Sequence, residues 1–118
     1  MHGLSHALGR LSALNLHHGT LNAILLPPSL AMIEAAGAVP EKLARLKQVM
    51  AVPAGTPLSE AVAALNARIG IPATLSSIGV TAAHWDDARD YAVSDLATAT
   101  NAIPFGAAEY ERLFERAL

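Results

Sequence analysis

Residues 2–28, HGLSHALGRLSALNLHHGTLNAILLPP, are the stretch whose reading decides the fold. Leu4, Leu8 and Leu11 recur at the spacing of one helix face. A helix is therefore expected from His2 to about Leu14, with Gly3 and Gly9 as its weak points. Asn15 to His18 reads as a connection. Gly19 to about Ala36 reads as a second helix, apolar on nearly every side and so expected to be buried on most of them. It should bend near Pro27, because a proline removes an internal hydrogen bond and clashes with the preceding turn. Gly37 is a suitable stop.

The same pattern continues outward. Pro40 suits the first turn of a third helix, to about Met50, with Leu43, Leu46 and Met50 on one face and Lys42, Arg45 and Lys47 facing water. Val52 to Gly55 is a linker. Thr56 is a candidate N-cap with Pro57 behind it. The fourth helix then runs to Arg68, with Leu58, Ala61, Val62, Leu65 and Ile69 at helical spacing. Gly70 ends it and Pro72 blocks a restart. Thr74 to Ile78 could form a short helical turn. Thr81 is a candidate N-cap for a helix to about Asp95, with Trp85, Ala88 and Ala92 inward. Asp86 and Asp87 lie in its first turn, where the helix dipole favours negative charge. Ala97 to Phe105 should be irregular. A last helix is expected over Ala107 to Ala117, with Tyr110, Leu113, Phe114 and Ala117 as its core stripe. No run alternates as a strand does. The expected fold is all-α, a bundle of about five to six helices in a single domain.

The 118 residues suffice for one domain with a modest core. Charged residues make up only 15%, against about 25% in soluble domains generally. A chain this apolar either has a large core or has surface that something else covers. Association into a homo-oligomer through exposed apolar helix faces is therefore expected. The net charge is −2, and the eight Lys and Arg residues are scattered, which argues against a nucleic-acid partner. With no cysteine there is no disulfide framework and no thiolate site. The longest apolar stretch, Leu21 to Ile33, is too short for a bilayer and is interrupted by Pro27 and Pro28. No secretory leader pattern is seen at the N-terminus. A cytoplasmic protein without a membrane segment is expected.

Four of the five histidines fall within the first eighteen residues: His2, His6, His17 and His18. His2 and His6 are four apart and share a helix face. His17 and His18 stand just before the next helix, and a helix–turn–helix would return them towards His2. Imidazole is a common ligand of iron and zinc. No carboxylate is near in sequence, since the first acid is Glu34, so a metal site made from this chain alone should be incomplete. His84, alone beside Trp85, reads as structural. No G-x-S-x-G, G-x-G-x-x-G or phosphate-loop motif occurs. If the chain belongs to a cofactor enzyme, the nucleotide site lies elsewhere.

The runs H-G-L-S-H-A-L-G (2–9) and H-H-G-T-L-N-A-I-L-L-P (17–27) resemble the signature of the iron-containing alcohol dehydrogenases. That signature has a histidine, three residues, a second histidine, then Leu-Gly. Further on come a third histidine, a glycine and a helix of the N-A-I-L-L-P type. His2, His6 and His18 match the three. I-G-V-T (78–81), T-A-T-N-A-I-P (98–104) and A-A-E-Y-E-R-L-F-E-R-A-L (107–118) look like the family's C-terminal helices, so the resemblance covers the whole chain.

The resemblance implies an N-terminal α/β domain that binds NAD(P). It also implies an all-helical C-terminal domain holding Fe2+ or Zn2+, as in the dehydroquinate-synthase-like fold. In the family an aspartate and three histidines coordinate the ion, and the alcohol or aldehyde completes the shell. By this resemblance His2 and His18 are metal ligands, and His6 is a catalytic residue on the substrate side near the nicotinamide. No residue of this chain is assigned to NAD(P) binding. The spacing from His6 to His18 is longer than the family's usual one, which leaves His17 as an alternative to His18. Gly19 and the helix behind it stay in register with His18. The remaining ligands lie upstream in the family. The chain is therefore expected to be the C-terminal portion, with the nucleotide domain absent, and to be inactive by itself. Two further readings are a fragment of the related maleylacetate reductase branch and a truncated, non-catalytic helical interaction or assembly module.

Overall fold

Leu4, Ala7 and Leu8 are buried along one side of the first helix, α1 (His2–Gly9). The computed structural model describes residues 1–118, with six α-helices, short 3-10 turns and no strand. The helix α1 stops at Gly9 and does not reach Leu14. Leu11 leaves the helical region at φ −71°, ψ 72°. The chain then passes through a 3-10 turn, Ser12–Leu14, and Asn15 takes a left-handed conformation with φ 47°. Asparagine tolerates that region better than most residues. The reversal sends the chain back along α1 into α2 (His18–Ala35).

Helix α2 continues through Pro27 and Pro28 as one element. It buries Leu21, Ile24, Leu25, Ser29 and Leu30. Next come α3 (Pro40–Val49) and α4 (Leu58–Arg68). The start of α4 departs from expectation, because Thr56 is not its cap. Pro57 occupies the N-cap position and makes no side-chain cap bond. The cap comes from α2, where Glu34 accepts the Leu58 N–H at 2.6 Å, the Ser59 N–H at 3.3 Å and the Ser59 hydroxyl at 2.6 Å. A carboxylate at this position answers both the unpaired N–H groups and the positive end of the helix dipole.

After a 3-10 turn at Ser76–Ile78, the segment from Thr81 opens as a second 3-10 turn, Ala82–His84, before α5 (Trp85–Ser94). His84 serves that opening, since its Nδ1 accepts the Thr81 N–H at 3.0 Å. The segment after α5 is more ordered than expected, with a 3-10 turn over Leu96–Thr100. Thr98 pins it by donating to the Ala92 carbonyl at 2.7 Å and meeting the Tyr110 hydroxyl at 2.6 Å. The last helix is α6 (Ala107–Ala117), which buries Tyr110, Leu113, Phe114 and Ala117.

The main core joins α1, α2, α5 and α6 through Leu4, Leu8, Leu21, Leu25, Ala88, Ala92, Tyr110 and Leu113, all fully buried. Gly3 is where α1 comes closest to its neighbours. A Cβ there would stand 2.7 Å from the Tyr110 hydroxyl, 2.8 Å from the Thr98 hydroxyl and 2.9 Å from the Ala92 carbonyl. The residue read as a weak point of the helix is thus a packing requirement. A second, small core of Leu30, Leu58 and Val62 holds α4 on α2. Helix α3 buries no residue, and the expected inward positions Leu46, Met50, Leu65 and Ile69 are exposed. No helix is long and apolar enough to cross a membrane.

Candidate metal centre

The face of α1 opposite its buried leucines carries His2 and His6, one turn apart and both exposed. The reversal at Ser12–Asn15 places His18, first residue of α2, beside them. The ring centroids of His2 and His6 are 4.5 Å apart, and each lies 5.1 Å from that of His18. One nitrogen from each of the three rings can be chosen so that all lie within 4.8 Å of one another. Two imidazole nitrogens on one divalent ion stand at most about 4.2 Å apart. Closing that difference requires the exposed rings to move, and the imidazole donors are of the kind that suits a borderline cation such as iron or zinc.

His17 does not join the cluster. It caps α2, with its Nδ1 accepting the Thr20 N–H at 3.3 Å. His18 has its own supports: the Asn22 side-chain amide donates to its Nε2 at 2.8 Å and to its backbone carbonyl at 3.2 Å. The buried hydroxyl of Ser5 donates to the His2 carbonyl at 2.8 Å and lies 3.5 Å from His18 Nδ1. The Asn22 Oδ1 is buried with no hydrogen-bond partner. A polar atom left unpaired beside the cluster is a feature that structural packing alone does not explain. Lost hydration lowers the pKa of His18 below its ordinary value, and the neighbouring charges of His2, His6 and His17 lower it further. His18 is thereby favoured in the neutral state that a metal ligand needs.

A carboxylate does reach the cluster, contrary to expectation. Asp95 Oδ2 lies 2.8 Å from His6 Nδ1 across a separation of 89 residues. Asp95 stands where α5 gives way to the 3-10 turn, and its Oδ1 accepts the Ala97 N–H at 2.8 Å. The hydrogen bond to His6 lowers its pKa below the ordinary carboxylate value, with the Ala97 N–H acting in the same direction. No local spacing could have signalled Asp95, because the packing of α1 on α5 creates the contact. Asn22 was more accessible to inspection, being one helical turn after His18.

The sequence model of the Fe-containing alcohol dehydrogenase family, C-terminal, matches residues 1–118. The chain is 36% identical over 123 residues to 4-hydroxybutyrate dehydrogenase of Cupriavidus necator, a match covering 100% of this chain and 32% of that protein. It is 39% identical over 98 residues to maleylacetate reductase of Rhizobium sp. (strain MTP-10005), covering 83% of this chain and 24% of that protein. The chain thus spans about a third or less of the length of these relatives. With the family's helical pattern matched from end to end, the chain belongs to the Fe-containing alcohol dehydrogenase family, as its C-terminal domain.

Proposed function

We propose that this chain is the metal-holding helical portion of an NAD(P)-dependent oxidoreductase that interconverts alcohols and aldehydes. The observation that carries the reading is the convergence of His2, His6 and His18. His2 and His18 are the ligands this chain contributes to Fe2+ or Zn2+, and His6 faces the substrate. When bound, the ion would supply Lewis-acid polarisation of the substrate oxygen. Asn22 orients the His18 ring, and the lowered pKa of His18 favours its neutral form; the Asn22 amide would be displaced from Nε2 by a metal ion. The remaining ligands and the nucleotide site come from residues outside these 118. The chain is accordingly inactive alone. An NAD(P)-linked alcohol oxidation assay on the metal-supplemented chain should give no turnover, and clear turnover would overturn its incompleteness.

Cobalt titration tests the assignment of ligands. Visible Co2+ absorption should be lost in His2→Ala and His18→Ala and retained in His6→Ala. Retention in the first two would overturn the assignment.

A second reading, an assembly module, has one observation in its favour. Val49, Ile69 and Leu46 are 78%, 64% and 47% exposed. Such a surface favours association with a second copy of the chain. Light scattering should show self-association that grows with concentration, and a strict monomer throughout would count against it.

A further inference from the structure

The two oxygens of Asp95 have separate tasks. Oδ1 accepts the Ala97 N–H at 2.8 Å, which fixes the plane of the carboxylate at the end of α5. Oδ2 meets His6 Nδ1 at 2.8 Å. The backbones on either side are held by buried side chains, Leu4, Ala7 and Leu8 on α1 and Ala88 and Ala92 on α5. An ionised carboxylate can only accept hydrogen bonds. A neutral His6 in this contact must therefore carry its proton on Nδ1, and its Nε2 keeps the free lone pair. A carboxylate behind an imidazole sets the tautomer and orientation of the ring in this way.

We propose that Asp95 is the positioning residue of His6, holding its proton on Nδ1 so that Nε2 is the nitrogen offered to substrate. The consequence for chemistry rests on the function proposed above. In alcohol oxidation Nε2 would be the atom that takes the hydroxyl proton, and NAD(P)+, when bound, would supply the hydride acceptor. The imidazolium so formed keeps its Nδ1–H on Asp95, and the carbonyl product carries neither. The tautomer itself does not depend on that reading.

Two-bond proton–nitrogen correlation spectra of the 15N-labelled 118-residue chain test the proposal, recorded on the alkaline side of histidine titration. His6 signals are identified by their loss in His6→Gln. The wild type should show His6 protonated at Nδ1 and bare at Nε2. In Asp95→Asn the amide oxygen stays on the Ala97 N–H, so the NH2 group falls opposite Nδ1 and donates to it. The His6 pattern should then reverse, with the proton on Nε2. Asp95→Glu, which restores an acceptor, should return the wild-type pattern. An Nε2–H tautomer in the wild type would overturn the proposal even if the variants failed to fold. So would an unchanged Nδ1–H pattern in a folded Asp95→Asn. Cobalt titration of the wild type, His2→Ala and His18→Ala separates the two claims. A correct tautomer with cobalt spectra insensitive to His2→Ala and His18→Ala refutes the proposed ligand set and leaves the positioning role standing.

Discussion

His18, Asp95 and Glu34 all bind protons less readily in the folded chain than their ordinary values imply. For His18 the causes are lost hydration and then its histidine neighbours. For Glu34, burial pushes the pKa up, but the Ser59 hydroxyl and the Leu58 and Ser59 N–H groups outweigh it. A depressed folded pKa means that the unfolded chain takes up the proton first. The stability held by each group is therefore complete above its ordinary value and is lost as the pH falls below it. Tm followed by circular dichroism should drop as pH descends through 6.5, the ordinary value for His18, and again below 4.5 and 3.8, those for Glu34 and Asp95. His18→Gln should shrink the first drop, to which the amino group of Met1, lowered by burial from 8.0 to about 6, also contributes, and leave the acidic one. The His6–Asp95 pair makes a different point about magnitude. His6 is 46% exposed and Asp95 21% exposed, and solvent-exposed pairs contribute about 0–1 kcal/mol. Asp95→Asn should thus lower the unfolding free energy from urea titration by less than about 1 kcal/mol while changing the His6 tautomer. The residue orients far more than it stabilises.

At the scale of elements, two joints fix how the helices meet. The first is the capping of α4 by Glu34 across 24 residues. Removing an N-cap costs about 0.5–2 kcal/mol, and Glu34→Ala should fall in the upper half of that range because three donors lose their acceptor. Glu34→Gln, which keeps an acceptor oxygen, should lose about half as much, as measured by chemical denaturation. The second joint is Gly3, where three oxygen atoms lie within 3 Å of the position a Cβ would take. Two of them belong to Thr98 and Tyr110, which hydrogen-bond each other, and the third is backbone, so little can yield. Gly3→Ala should cost about 1–3 kcal/mol by overpacking. It should also weaken cobalt uptake, since His2 and His6 ride on the same helix. The sequence pattern revealed nearly every helix but not these joints. Apolar periodicity reports which face of an element is buried and says nothing about which distant side chain meets its end. Thr56 looked like the cap because the rule for caps is local, whereas Glu34 reaches α4 only after α2 and α4 have packed. The stop of α1 at Gly9 escaped notice because Leu11 continued the helical spacing while turning into a different conformation.

The whole molecule is unevenly built. Helices α1, α2, α5 and α6 share a core, whereas α3 contributes nothing fully buried and α4 is anchored by Leu58 and Val62. The exposed residues Leu46, Val49, Met50, Leu65 and Ile69 all belong to α3, α4 or the residue just after each. The double substitution Val49→Glu and Ile69→Lys should shift light scattering towards the monomer and leave Tm nearly unchanged, since neither side chain supports the core. The amino-acid sequence by itself determined the all-helical class, the core stripe of α6 and the pairing of His2 with His6. Each follows from the period of a single helix, which any local stretch displays. Its motifs also sufficed to point to the family. Tertiary structure alone decided that His18 joins the cluster while His17 caps a helix, that Asp95 stands behind His6, and that Gly3 must lack a side chain. Those outcomes depend on how the chain reverses at Asn15 and how α1 lies on α5. Contacts between residues far apart in sequence have no period to read, because they exist only once the helices have packed.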